Sequence, residues 1–470
     1  AEDQWSLTPD LTATLGLRWD YDTLTKAGAA SGDTDNIAPR LALNWRLNSR
    51  WSLRAGTGLF YEKIPYTIAS DALQQNTTSA AFRGQLAQLI AAGRLPAGTD
   101  IDRLVFDGNL SVNPACPGGF LNCPTPANAA NLRATASSGE RRIRNPQGLD
   151  SPYTLQSSLG AQWQISDALL ASADLILGDG RNLLRLRDVN APAPFTSNVA
   201  NLTPANVALL RAQPNDAARF ALARSLGLVR SQADADATRP VAAVPGGARQ
   251  IVVSETGGAS RYRALNLALE RARRSSGEGS ALRYGYRLSY TLSKLSNDTD
   301  DLNFRASNSN EFDSEWGPSI NDRRHALSAL LFLYPSESLT VTVAGLFQSG
   351  QPINLIPDTG IFGTTDLNGD GASFSSAYLG NSDRAPGIGR NSARLPWSKL
   401  VDLGLRYEHA VPLGQLEVTA DVFNVFDTTN LSGFANSATQ SNQIQVAGQP
   451  FVERNAGAPR QFQFGLSWRF

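Results

Sequence analysis

Methionine is absent from the 470 residues, and lysine is confined to Lys26, Lys63, Lys294 and Lys399. Without a methionine, Ala1 is not a translated start, so a processed chain or a fragment is expected. No basic and apolar leader precedes AEDQWSLTPD, and no run approaches the ~20 apolar residues of a membrane-spanning helix. An excess of either charge is missing too: 42 basic residues stand against 42 acidic ones, so nothing points to nucleic acid or another polyanion. Charged residues reach only 18%, below the ~25% of soluble chains. That argues against the two to four soluble domains which ~100–200 residues per domain would otherwise suggest.

What the chain does have is turns and alternation. Forty glycines and 25 prolines punctuate it. Between them apolar residues recur at every second position, which places them on one face of a strand. At the C-terminus these are Phe462, Phe464, Leu466, Trp468 and Phe470; elsewhere they are Leu282, Tyr284, Tyr286, Leu288, Tyr290 and Leu292, or Trp51, Leu53, Ala55, Leu59 and Tyr61. The same pattern covers 11–21, 155–165, 169–177, 339–347, 401–407 and 416–422, and more weakly 41–47, 265–269 and 325–333. About twelve strands are predicted. Short links such as Asn48-Ser49-Arg50 and Ser166-Asp167 alternate with long ones near 22–38, 62–151, 179–260, 294–322, 350–398 and 426–458.

Long loops at one end and tight turns at the other describe an outer-membrane barrel: all-β, antiparallel, up-and-down, with apolar side chains facing lipid and polar ones facing the lumen. Closure is required, because an open sheet edge in lipid leaves backbone groups unpaired. Trp45, Trp51, Trp163 and Trp468 sit near strand ends, as interfacial rings do. Arg283, Arg287, Arg406, Arg469, Asp174, Asp402 and Glu417 alternate with the apolar set and are assigned to the lumen. Counting back from Phe470 makes 6–10 a periplasmic turn and 1–5 the tail of an earlier strand, so the chain is expected to begin mid-barrel.

The blocks DQWSLTPDLTATLGLRWDYD, SYTLSKLSNDTDD, NDRRHALSALLFLYP followed by FQSGQPINL, DRAPGIGRNSARLP, DVFNVFDTTN and RNAGAPRQFQFGLSWRF resemble, in order, those of TonB-dependent outer-membrane receptors. The likeness is greatest to the Oar-like subgroup, which carries a carboxypeptidase-regulatory-like N-terminal domain. It implies an about 22-stranded barrel with an N-terminal plug, of which the whole chain, 1–470, holds the later strands while the plug and early strands are missing. It also implies solute capture at the cell surface of a Gram-negative bacterium and import driven by TonB with ExbB and ExbD. The terminal Phe470 matches the aromatic read by the barrel-assembly machinery. No catalytic residue and no cofactor enter this scheme, and the solute is not specified.

Several local patterns are weighed beside it. Cys116 and Cys123, in CPGGFLNC within the longest loop, are close enough for a small disulfide-closed loop. Asp366, Asn368 and Asp370 form a D-x-N-x-D-G run, read either as a structural Ca²⁺ loop, with Asp383 as a later ligand, or as an Asx/Gly turn; Ala377 stands where an EF-hand has its bidentate Glu. Asn297-Asp298-Thr299-Asp300-Asp301 is read as a solvated acidic loop rather than a second metal site. His325 and His409, the sole histidines, keep a twelve-stranded lipid hydrolase in view, but no G-x-S-x-G elbow accompanies either. A non-energised porin is the other alternative. Helices are expected within 80–95 and 204–228, where apolar residues recur at i, i+3 and i+4, and the loops 62–151 and 179–260 are expected to supply most ligand contacts.

Overall fold

The computed structural model describes residues 1–106, 139–272, 283–371, 383–435, 444–449 and 454–470. Its body is a single 15-stranded sheet whose continuous antiparallel path follows chain order. The path consists of β1 (Glu2–Thr8), β2 (Leu11–Trp19), β3 (Ile37–Arg46), β4 (Trp51–Tyr61), β5 (Tyr153–Ser166), β6 (Leu169–Asp188), β7 (Gln250–Arg271), β8 (Arg283–Asn297), β9 (His325–Tyr334), β10 (Leu339–Gln348), β11 (Ser398–Val411), β12 (Gly414–Phe423) and β13 (Gln461–Arg469). Each pairs with its sequence neighbour, which is the up-and-down order the alternating short and long links require. Among the described residues no helix is long and apolar enough to cross a membrane.

The expectations differ from this structure in three respects. Residues 1–5 were read as a strand tail ending at a 6–10 turn; the strand runs on to Thr8, and only Pro9-Asp10 turn. The sheet is open: β1 and β13 lie at its two edges with no ladder between them among the described residues. Finally, β6 and β7 run far beyond the alternating stretches 169–177 and 265–269, pairing as high as Asp188 with Val252. The apolar alternation ends partway up these strands, while the hydrogen-bond ladder continues.

The two faces differ in kind. Residues paired across a ladder share a face, as do residues two apart on one strand. On one face the row Trp51, Trp163, Ala171, Leu269, Leu288 is apolar, with Trp51 and Trp163 stacked at 5.2 Å between centroids. Ten residues up β4 and β5 the same face ends in the ring pair Tyr61 and Tyr153. At ~3.3 Å per residue and ~40° tilt, that separation spans roughly 25 Å vertically, the height of a lipid-facing apolar band between aromatic girdles. The opposite face carries interstrand ion pairs, Arg287 with Glu270 at 2.9 Å and Arg406 with Glu417 at 2.6 Å.

A third pair on this face needs a glycine. Arg54 on β4 and Asp174 on β6 bond bidentately, Nε to Oδ1 at 2.8 Å and Nη2 to Oδ2 at 2.6 Å, across the intervening β5. Gly160 lies in register between them. A Cβ there would stand 2.0 Å from Asp174 Oδ1 and 2.8 Å from Arg54 Nε, so the missing side chain is what lets the two charges meet.

Candidate functional site

The long connections fold at the end opposite the short turns. Within 62–152 lie α1 (Tyr66–Gln74), α2 (Ala80–Ala91) and a short strand Glu140–Ile143, which pairs in parallel with the top of β7. Within 189–249 lie α3 (Pro204–Arg211), α4 (Asp216–Ser225) and α5 (Gln232–Asp236). The helices expected at 80–95 and 204–228 are therefore present, the latter as two. Ser79 caps α2 by accepting from Phe82 N–H, and Thr203 and Asn215 cap α3 and α4 in the same manner, removing one orphan donor from each helix start.

These loops share cores. Phe82, Leu86 and Leu89 of α2 bury completely against Leu104 from their own loop, Val241 and Ala248 from the other, and Ile251 at the start of β7. A second cluster joins Leu210, Ala223 and Leu228 to Phe362 and Leu367 in the 349–397 connection. At ~1.5–3 kcal/mol for each large apolar side chain buried, three connections distant in sequence become one folded roof. Buried amides stand in for missing backbone partners. Gln85 donates to Ala242 O at 2.7 Å and Ala248 O at 2.8 Å and accepts from Ala248 N–H at 2.8 Å. Asn190 bridges Val241 and Arg249 likewise. An amide side chain carries both a donor and an acceptor, so it can extend a ladder where no strand reaches.

An ionic layer lies beneath. Glu140 sits between Arg142 and Arg305; burial pushes its carboxyl up, but the two guanidinium groups more than offset this and hold it below the ordinary range. Glu255 takes Arg185 at 2.7 Å and Arg187 at 2.6 Å, and both guanidinium carbons lie over the Phe312 ring, at 3.7 and 4.7 Å. Arg390 is fully buried, with Nη1 on Asp300 at 2.5 Å, Nε on the Glu315 carbonyl at 2.6 Å, and Nη2 on both oxygens of Asn297. The 297–301 stretch is thus not a solvated acidic loop: Asn297 and Thr299 are buried, and Asp300 is the anchor for Arg390. Sequence reasoning missed this because the partner lies 90 residues away.

The D-x-N-x-D-G run is likewise drawn into the roof. Asp366 accepts from Gly369 N–H at 2.7 Å and Gly371 N–H at 3.0 Å; Asn368 Oδ1 accepts from Asp370 N–H at 2.7 Å. Asp383 takes the N–H groups of Leu367 and Asn368 and the Asn368 amide. Burial, then the nearby Asp370 and Asp366 carboxylates, pushes the Asp383 carboxyl well above the ordinary value. These are Asx-turn hydrogen bonds, and among the described residues no group of three or more His, Cys, Asp or Glu side chains is placed to hold a metal. Cys116 and Cys123 lie outside the described residues.

The histidines sit elsewhere. His325, at the top of β9, shares the apolar face. Its Nδ1 is 2.8 Å from Tyr290 Oη, and its ring stacks on Trp397. Its contacts with Ser349 run through the backbone, His325 N–H to Ser349 Oγ at 3.0 Å and Ser349 N–H to His325 O at 2.8 Å, and neither makes a nucleophile–base pair. His409 stacks on Tyr407 near the 411–414 turn.

The profile of the outer membrane beta barrel domain matches residues 24–335. The chain belongs to that family. Its place is the outer membrane, and the sheet is the wall of an outer-membrane barrel. No curated protein matches it. Similar solved structures include the ferric enterobactin receptor PfeA of Pseudomonas aeruginosa (16% identity, TM-score 0.48, covering 100% of this chain and 44% of that one). Others are the outer-membrane transporter YddB of Escherichia coli (13%, 0.49, 98% and 43%) and the ferric citrate transporter FecA (11%, 0.42, 97% and 42%). The chain spans less than half the length of these proteins.

Proposed function

We propose that the chain forms the C-terminal part of a TonB-dependent receptor of the Oar-like kind, which captures a solute at the cell surface and imports it with TonB-transduced energy. The observation that supports this most is the roof: long connections from separate hairpins share buried cores and ion pairs at one end of the sheet, giving an ordered surface on which a ligand can be held. The ordered sequence blocks support the same reading. In this scheme the unpaired edges of β1 and β13 join the remaining strands of an about 22-stranded wall. A plug fills the lumen, TonB with ExbB and ExbD moves it, and loops 62–151 and 179–260 contact the solute.

The test uses cells expressing the complete protein, supplied with a panel of iron chelates, peptides and oligosaccharides. One of these should accumulate only while the proton-motive force is intact. Accumulation that survives an uncoupler would favour a passive porin instead. Lipid hydrolysis lost on His325→Ala would favour an enzyme.

A further inference from the structure

We propose that the cavity between the 22–38 connection, α1 and the top of β7 binds a small molecule with an apolar body and a single carboxylate. This goes beyond solute import: every wall residue belongs to this chain, and binding needs neither TonB nor a membrane potential. The cavity measures about 220 Å³. Leu24, Ile64, Ile68, Ile143 and Leu149 make its apolar wall, and Ile64, Ile68 and Leu149 are buried in one cluster. An apolar cavity of ~150 Å³ accepts one benzene ring, and drug-sized ligands need ~300 Å³ or more. The space therefore suits one ring, or a short alkyl chain, carrying a short acid arm.

Two cations and no carboxylate line this space. Lys26 is exposed at the end of the short helical turn Thr23–Lys26, and Arg144 is half-buried just past the strand Glu140–Ile143. Neither side chain has a carboxylate partner among the described residues. The Arg144 guanidinium carbon instead lies 4.2 Å from the centroid of the Phe106 ring, which positions it without neutralising it. Acids on the flanking elements are engaged elsewhere. Asp22 accepts from Leu24 N–H and Ile64 N–H at 2.9 Å each, Asp71 of α1 takes Arg142 at 2.6 Å, and Glu255 of β7 takes Arg185 and Arg187. Two uncompensated positive charges beside an apolar wall complement an amphipathic anion, and the arginine fork matches both oxygens of a carboxylate.

The walls are fastened to one another before any ligand arrives. Leu149 N–H donates to Thr25 O at 2.7 Å and Gly28 N–H to Asn145 O at 2.9 Å, which ties the first connection to 143–149. Asn145 Nδ2 in turn donates to Ser254 O of β7 at 3.1 Å. Ala27, in the wall, has φ 42° and ψ −114°, a backbone conformation that residues with a side chain rarely adopt. Such strain persists only where the surroundings over-determine it, and it gathers at ligand clamps. A site already held in shape spends little conformational freedom on binding, which is what a ligand with few atoms requires.

The test titrates benzoate, phenylacetate and hexanoate into the complete protein in nonionic detergent micelles, with binding read by isothermal titration calorimetry. Heat-modifiable gel mobility confirms folding. At least one acid should bind saturably, and about tenfold tighter than the alcohol of the same skeleton. Arg144→Gln should weaken that binding about tenfold, as loss of a charge-assisted hydrogen bond does. Lys26→Gln, at an exposed position, should weaken it about threefold and serves if the arginine variant does not fold. Ala69→Leu, which fills the cavity from α1, should weaken it about tenfold by displacing the apolar body. No saturable binding of any of the three acids, equal binding of the alcohol, or unchanged affinity in the folded variants overturns the proposal. So does equal affinity for acetate, which carries the charge without the body and would make the site one for a free anion.

Discussion

Arg390 is the single side chain on which the roof should depend most, and Arg390→Met isolates its role. The guanidinium is buried and ties the 349–397 connection to the top of β8 and to the 298–324 connection through Asp300, Asn297 and the Glu315 carbonyl. Removing one partner of a buried ion pair costs about 3–5 kcal/mol, because the other charge stays behind. Asp300 keeps Asn391 Nδ2 at 3.0 Å, Ser319 Oγ at 3.1 Å and Ile320 N–H at 3.1 Å, so the lower end, about 3 kcal/mol, is expected. At ~1.4 kcal/mol per decade this is roughly a hundredfold loss of protection in local opening. Hydrogen–deuterium exchange on the folded protein should show it at 297–301 and 384–391, while β9 to β12 exchange as before. Arg390→Lys, which keeps the charge and loses the fork, should fall between. Unchanged protection in Arg390→Met, or equal loosening of the strands, would refute a roof clamped at this point.

Four further outcomes are expected. Gly160→Ala should destabilise the sheet by about 2 kcal/mol in urea unfolding followed by tryptophan fluorescence, from crowding plus a weakened, partly exposed pair; in an Arg54→Ser, Asp174→Ser background the cost should nearly vanish, and an undiminished cost would show that the clasp is not the reason for the glycine. Phe82→Ala, at about 3–5 kcal/mol, should open 62–152 and 189–249 to protease together because they share a core, and cleavage confined to the first would contradict that shared core. Asp383 binds its proton more tightly in the folded loop than the ordinary 3.8 allows, so the folded state holds more protons and its stability must fall as pH rises above that value. Exchange at 366–371 should accordingly quicken with pH more in the native chain than in Asp383→Asn, after correction for intrinsic exchange. Added Ca²⁺ should leave 366–371 unchanged if the Asx-turn bonds already use the carboxylates, whereas slowed exchange would establish the structural-ion alternative at Asp366, Asn368 and Asp370.

The parts of this molecule that were legible in its sequence are those where one physical contrast repeats. Lipid on one side of a strand and polar surroundings on the other impose period two, so Leu282 to Leu292 or Phe462 to Phe470 declare a strand without any partner being known. Helical period did the same for α2 and α3. Where the contrast ends, the signal ends: the upper halves of β6 and β7 are held by backbone pairing between roof segments, and Arg185, Arg187 and Glu255 there read as loop residues until the register brings them together.

The acidic stretch 297–301 shows why charge in a long loop is a poor guide to exposure. Composition gives Asp300 the look of a solvated residue, and an isolated buried carboxylate would indeed be unstable. Burial becomes tolerable only because an arginine arrives from a different hairpin with its fork already aimed, together with Asn391 from the same turn. The 384–391 segment resembled a family block as a string of letters, but its physical content is that clamp. Long-range electrostatic partnership, unlike alternation, has no period along the chain, so it is read from register and not from spacing.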